Sequence, residues 1–165
     1  MKCFSIAFAI CFLVVGLIGA QQEKPYQTGE PSTPQEIKQF NDDQLAILQK
    51  QIAGKETQPS EAVFKNIKIM TGIPAGNLLK IMQGGFSRSL GTSCAHCHVV
   101  GQWEKEDKPT KQITRDMWNM DHAVVSDYLK KMDGLKDRNP TVNCTTCHRG
   151  QLKPALNLDT EAPKS

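Results

Sequence analysis

The 165-residue sequence carries 20 Lys and Arg against 17 Asp and Glu, a formal charge of +3, with no long basic block, which argues against nucleic acid as a partner. Aromatic residues make up only 6% of it, with two Trp and two Tyr, too few large side chains for a protein-only core of this length. Something other than protein is expected to fill part of the interior.

Residues 1–20 open with Lys2, run through the apolar stretch CFSIAFAICFLVVGLIGA and meet polar QQEKPYQTGE, the order of a secretory signal. The alternative is an uncleaved membrane anchor, because the stretch approaches the ~20 residues a spanning helix needs. Cys11 follows bulky Ile10 instead of a small residue and is a poor site for lipid attachment. Either way the body of the protein is expected outside the cytoplasm, in the periplasm or an equivalent compartment. Without the signal the balance is 19 basic to 17 acidic side chains, a charge of +2, and the length suits one domain.

Residues 21–33, with Pro25 and Pro31 and no apolar period, read as a flexible leader. A helix then starts at Pro34, where Thr33 and Glu36 form a T-x-x-E capping box and Pro34 suits the first helical position. Ile37, Asn41, Leu45, Leu48 and Ile52 mark one imperfect face of it, and Gly54 ends it. A short helix is expected from Ser60 to about Asn66, followed by a loop or short strand over IKIMTGIP. Pro74 opens the next helix, on which Leu78, Met82, Phe86 and Leu90 share a face. Gly84 and Gly85 interrupt it at about 1 kcal/mol each relative to Ala, a cost that makes sense if something flat must approach the backbone.

The charged stretch EKEDKPTK reads as a solvated loop. KQITRDMWNMDHAVVSDYLKKM is the longest helix candidate, with a stripe of Ile113, Met117, Met120, Val124 and Tyr128 and a stop at Gly134. Residues 151–165, with two prolines and no period, form a tail.

Six cysteines are present, Cys3 and Cys11 in the signal and the other four in two C-x-x-C-H motifs, Cys94/Cys97/His98 and Cys144/Cys147/His148. C-x-x-C-H is the pattern of covalent haem c attachment, in which two thiols add to the porphyrin vinyl groups and the adjacent His ligates iron. Two copies behind an export signal, with no cysteine left over, point to two haems c. A structural zinc site built from the four thiols would leave each His unexplained. Redox dithiols would want a βαβ setting that this mostly helical chain lacks, and simple disulfides would ignore the histidines as well.

The occupant of each iron's sixth position separates a closed electron-transfer centre from an open one that acts on small molecules. Met82, sixteen residues before His98 and beside the glycine pair, is the candidate at the first iron. Met117, Met120, His122 and Met132 are candidates at the second. A shift of fifty residues superimposes the two motifs, Met82 on Met132 and Gly84 on Gly134, a weak internal duplication that favours Met132. His96 reads as exposed, His122 as a helix-surface residue, and Arg149 as facing a propionate or solvent. Trp103 and Trp118 pack near the haem edges or elsewhere.

The segments VFKNIKIMTGIPAGNLLKIMQGGFSRSLGTSCAHCHV, KPTKQITRDMWNMDHAVVSDYL and VNCTTCHRG resemble the photosynthetic reaction-centre cytochrome c subunit family over residues 62–150. The resemblance implies that a helix supplies Met across the haem from each motif. It places the first such Met on Met82 and the second on Met117 of the R-x-M-x-x-M helix, over Met132, although the stretch KKMDGLKDRNPT departs from the family. Full-length members carry four haems in two pairs; this chain looks like one pair, so photosynthesis is not implied.

The expected fold is mainly α, a small multihaem cytochrome c whose few helices pack around two covalently bound haems in a domain over residues 34–150. The expected function is electron transfer between transient redox partner proteins, with membrane association only if the signal is retained. The rival is a dihaem oxidoreductase, peroxidase-like, with one open haem. Four ionised propionates would turn the mature +2 into about −2 with both irons ferrous.

Overall fold

The computed structural model describes residues 30–157, so the expected signal, most of the leader and the end of the tail lie outside the described residues. Helix α1 spans Pro34–Gln51 and begins as its sequence requires. The Glu36 amide donates to Thr33 Oγ1 at 3.2 Å, and the Glu36 carboxylate accepts from the Thr33 amide at 3.0 Å. Helix α2 covers only Ser60–Val63, shorter than expected, because Phe64 already has extended backbone. The segment behind it is a loop with left-handed residues at Asn66 and Met70, and no strand occurs among the described residues.

Helix α3, Ala75–Lys80, runs without a break through a π-helical segment, Ile81–Ser87, into helix α4, Arg88–Leu90. The widened segment contains Met82, Gly84 and Gly85; π-bulges of this kind concentrate at functional sites. Helix α5 is the single turn Cys94–Cys97. Helix α6, Pro109–Ala123, starts two residues before the expected Lys111 because Pro109 takes the first helical position. It continues through a second π-helical segment, Val124–Tyr128, and a 3₁₀ turn, Leu129–Lys131, stopping short of Gly134. Helix α7 is Cys144–His148, capped by an Asn143/Thr146 capping box. None of the described helices is long and apolar enough to cross a membrane.

The protein core is small. Ile52, Ala75 and Leu79 form its buried centre, with Leu45, Leu48, Val63 and Phe64 packed around them, so the face expected on α1 seats that helix against α3. By contrast, the stripe on α6 is largely uncovered: Ile113, Met117, Met120 and Tyr128 are all exposed.

Helices α4 and α7 are joined through backbone. The Gly150 amide donates to the Ser89 carbonyl at 2.8 Å, and the Ser89 and Thr145 hydroxyls lie 2.6 Å apart. Gly91, at φ 61°, closes the gap, and a Cβ there would fall 1.9 Å from the Gly150 carbonyl oxygen. Gly91→Ala combines that collision with left-handed backbone, which alone costs about 1–2 kcal/mol. Urea unfolding of the intact protein is expected to show at least that loss; an unchanged midpoint would refute the tight α4–α7 contact.

Candidate functional site

Asn41, the polar interruption on the apolar face of α1, is buried and caps the first motif. Its side-chain carbonyl accepts the Cys94 amide at 2.9 Å, while its amide donates to Ser87 Oγ at 2.7 Å and the Thr92 carbonyl at 3.1 Å. An orphan donor at the start of α5 is thereby satisfied from another helix. Cys94 and Cys97 are both free thiols, and burial, the main cause, pushes the Cys94 thiol pKa up.

His98 leaves α5 in extended backbone and brings Nδ1 to 3.1 Å from the Trp103 carbonyl. A carbonyl can only accept, so Nδ1 holds the proton and Nε2 keeps its lone pair. Burial, the largest cause, lowers the His98 pKa and favours the neutral ring that ligates metal. The Trp103 indole stands edge-on to the imidazole at 5.6 Å.

Cys94, Cys97 and His98 form one wall of a mainly apolar cavity of about 1110 Å³, counting its open mouth. Met82 and Phe86 line it as well, as do the loop 64–70, Trp103, Lys111, Thr114 and Arg115. Met82 and the motif thus share one cavity, as their spacing predicts.

Helix α6 is two-sided. Lys111, Thr114 and Arg115 look into this cavity, and Trp118 next to them on that face packs on Phe86 at 5.8 Å and on His122 at 4.4 Å. The opposite face carries the exposed stripe with Met117, 44% exposed. Asp121 lies one turn beyond Met117 and close enough to Cys144 to raise its thiol pKa, after burial as the larger cause. At the second motif His148 Nδ1 donates to the Gln151 carbonyl at 3.0 Å, repeating the arrangement at His98. Met132 instead follows the last helical turn in extended backbone and is exposed, unlike Met82 inside its helix. His122 is exposed, as expected, with Nδ1 2.9 Å from the Trp118 carbonyl, and Arg149 is exposed in left-handed backbone.

Two expectations are corrected. His96 is half-buried, because α6 packs over α5 and Thr110 donates to its carbonyl at 2.6 Å. The charged loop around Glu104 to Lys108 is more than solvated: Glu106 binds Arg115 through both carboxylate oxygens at 2.7 and 2.6 Å, accepts from Asn66, and lies 3.4 Å from Lys111 Nζ. Lys108 reaches back to the Ala95 carbonyl. Lys111 and Arg115 are buried, at 8% and 6% exposure, and were missed as site residues because charge in a hydrophilic stretch carries no periodic signal. Among the described residues no three His, Cys, Asp or Glu side chains gather as a metal set, so the four thiols do not form the tetrahedral group a zinc site needs.

Two thiols and a neutral imidazole on one wall, a thioether in the same cavity and an apolar lining otherwise fit a covalently attached haem. A helical chain without strands in its described residues, built around such motifs, defines a c-type cytochrome. The profile of the photosynthetic reaction centre cytochrome C subunit family matches residues 16–163, and the chain belongs to that family, one of electron carriers and not of enzymes. It is 29% identical over 104 residues to the photosynthetic reaction center cytochrome c subunit of Thermochromatium tepidum, covering 62% of this chain and 24% of that protein. It is 24% identical over 83 residues to cytochrome c-554 of Chloroflexus aurantiacus, covering 50% of this chain and 20% of that protein. Each match thus spans less than a quarter of the relative's length.

The Arg115 guanidinium beside Glu106, the largest cause, holds its carboxyl well below the usual carboxylate range. Since the folded pKa lies below the unfolded value near 4.5, the stability from this pair is full above that value and is lost as pH falls through it toward the folded pKa. Urea midpoints for wild type and Glu106→Gln are expected to differ more at pH 7 than at about pH 3. An equal gap at both would refute the ion pair.

Proposed function

We propose that this chain is an exported dihaem c-type cytochrome that carries single electrons between protein partners. Residues 1–20 are its signal, 21–33 its leader, 34–150 its dihaem domain and 151–165 its tail. Cys94 and Cys97 attach the first haem, with His98 and Met82 as its iron ligands; Cys144 and Cys147 attach the second, with His148 and Met117. The observation that carries this reading is the cavity that Met82 shares with Cys94, Cys97 and His98. Met117 is favoured over Met132 because it lies within helix α6, as Met82 lies within its own helical run, whereas Met132 follows the last helical turn in extended backbone.

Bound haem supplies a one-electron ferric/ferrous couple. The chain's residues do the rest: the Trp103 and Gln151 carbonyls orient the two imidazoles, Asn41 fixes the start of the first motif, and the Gly91–Gly150 contact keeps the second beside α4. The partners are redox proteins that dock transiently over a small area. Their identity is not carried over from the relatives, and photosynthesis is no part of the proposal.

Absorption spectra of protein matured in a host that attaches haem c, with haem counted per chain, test the reading. Two low-spin haems, each with the weak far-red Met–ferric iron band, are expected. Met82→Ala should leave both attached, remove one such band and lower one midpoint potential, and Met117→Ala should do the same to the other. One high-spin haem in the unaltered protein would overturn the closed electron carrier, and no haem would overturn the whole assignment.

A further inference from the structure

The two histidines differ in what else reaches the carbonyl that orients them. At the first site the Trp103 carbonyl accepts from His98 Nδ1 at 3.1 Å and also from Lys111 Nζ at 2.9 Å. Lys111 gives a further hydrogen bond to the Lys105 carbonyl at 2.8 Å, which fixes the ammonium in place. At the second site His148 donates to the Gln151 carbonyl, and among the described residues no cationic side chain is hydrogen-bonded to that oxygen.

The charge around the first site is also unbalanced. Lys111 and Arg115 are both buried, and the carboxylate that meets them is the single side chain of Glu106. Arg115 takes up both carboxylate oxygens at 2.7 and 2.6 Å, whereas Lys111 stands off at 3.4 Å and spends its short hydrogen bonds on neutral carbonyls. Lys68 Nζ also stands 3.9 Å from the same carboxylate, so the cations outnumber the carboxylate they share and positive charge is left over beside the cavity.

We propose that Lys111 is a positioning residue that raises the midpoint potential of the first centre above that of the second. Two effects act in the same direction. An ammonium on the Trp103 carbonyl draws off lone-pair density, so that carbonyl pulls less on the His98 proton and the imidazole donates less to iron. A less basic axial ligand favours the ferrous state. The uncompensated charge, in a partly desolvated wall, favours the same state by direct Coulomb interaction. The burial of matching thiols agrees: Cys97 is half-buried in the cavity wall, whereas its counterpart Cys147 is exposed. An electron entering at the second site therefore runs downhill to the first.

This inference rests on the dihaem reading. Redox titrations of the haem-loaded protein, wild type against Lys111→Met and Lys111→Gln, test it, with Lys105→Gln as the control for loss of an exposed charge on the loop before α6. Lys111→Met is expected to lower one midpoint potential by about 59 mV, a tenfold shift of a one-electron equilibrium, and to leave the other in place. Lys111→Gln, which keeps a donor for the carbonyl, should show the same direction with a smaller shift. Lys105→Gln should move neither.

In the diamagnetic ferrous protein, the Nδ1 proton resonance of His98 should move downfield in Lys111→Met as its hydrogen bond to the carbonyl strengthens, while that of His148 stays fixed. A purely structural role for Lys111 predicts no such paired shift. Two haems per chain with unchanged potentials in both Lys111 variants would overturn this inference and spare the dihaem reading. So would equal shifts from Lys111→Gln and Lys105→Gln. A chain without haem would remove both.

Discussion

The contact between Gly91 and Gly150 is the constraint on which the arrangement of the two motifs depends. It allows no side chain at Gly91, and it joins the backbone three residues before Cys94 to the backbone two residues after His148. Neither motif belongs to a large element of its own: α5 and α7 are single turns, and each takes its position from neighbours. Asn41 and α6 fix α5, and α4 fixes α7. The two motifs are thereby held near each other by main chain, with α6 presenting one face to the first.

A thin protein core follows from the same economy of elements. Among the described residues Ile52, Ala75 and Leu79 form its buried cluster, while the larger apolar surfaces, the wall of the first cavity and the stripe on α6, face places where little protein packs. This is the physical counterpart of the low aromatic content. The chain supplies apolar walls and leaves their contents to another molecule, so its fold is specified by a few polar anchors more than by close packing of side chains.

The sequence made much of this legible, and unevenly. Thr33, Pro34 and Glu36 announced α1 because a capping box acts through residues three apart in the chain. Both C-x-x-C-H motifs and Met82 were legible for the same reason: their geometry is local or helical. The shortened α2 was not, because it ends where Phe64 turns to extended backbone, and the left-handed residues of the loop behind it, Asn66 and Met70, do not advertise themselves as Gly does. Asn41 looked like a flaw in an amphipathic face, and its partners lie 46 to 53 residues away in sequence. Glu106 and Lys111 read as solvated charge, and Arg115 only as part of the R-x-M-x-x-M helix, for a similar cause: their pairing exists only once the loop folds back over α6.

The compactness of each motif has a consequence for how the protein is made. The two thiols of each motif lie within a single turn of helix, Cys94–Cys97 or Cys144–His148, so their mutual geometry is encoded in a few successive residues. In the reading proposed above, export in an unfolded form and loading on the far side are compatible steps, because each motif is set out in a few successive residues.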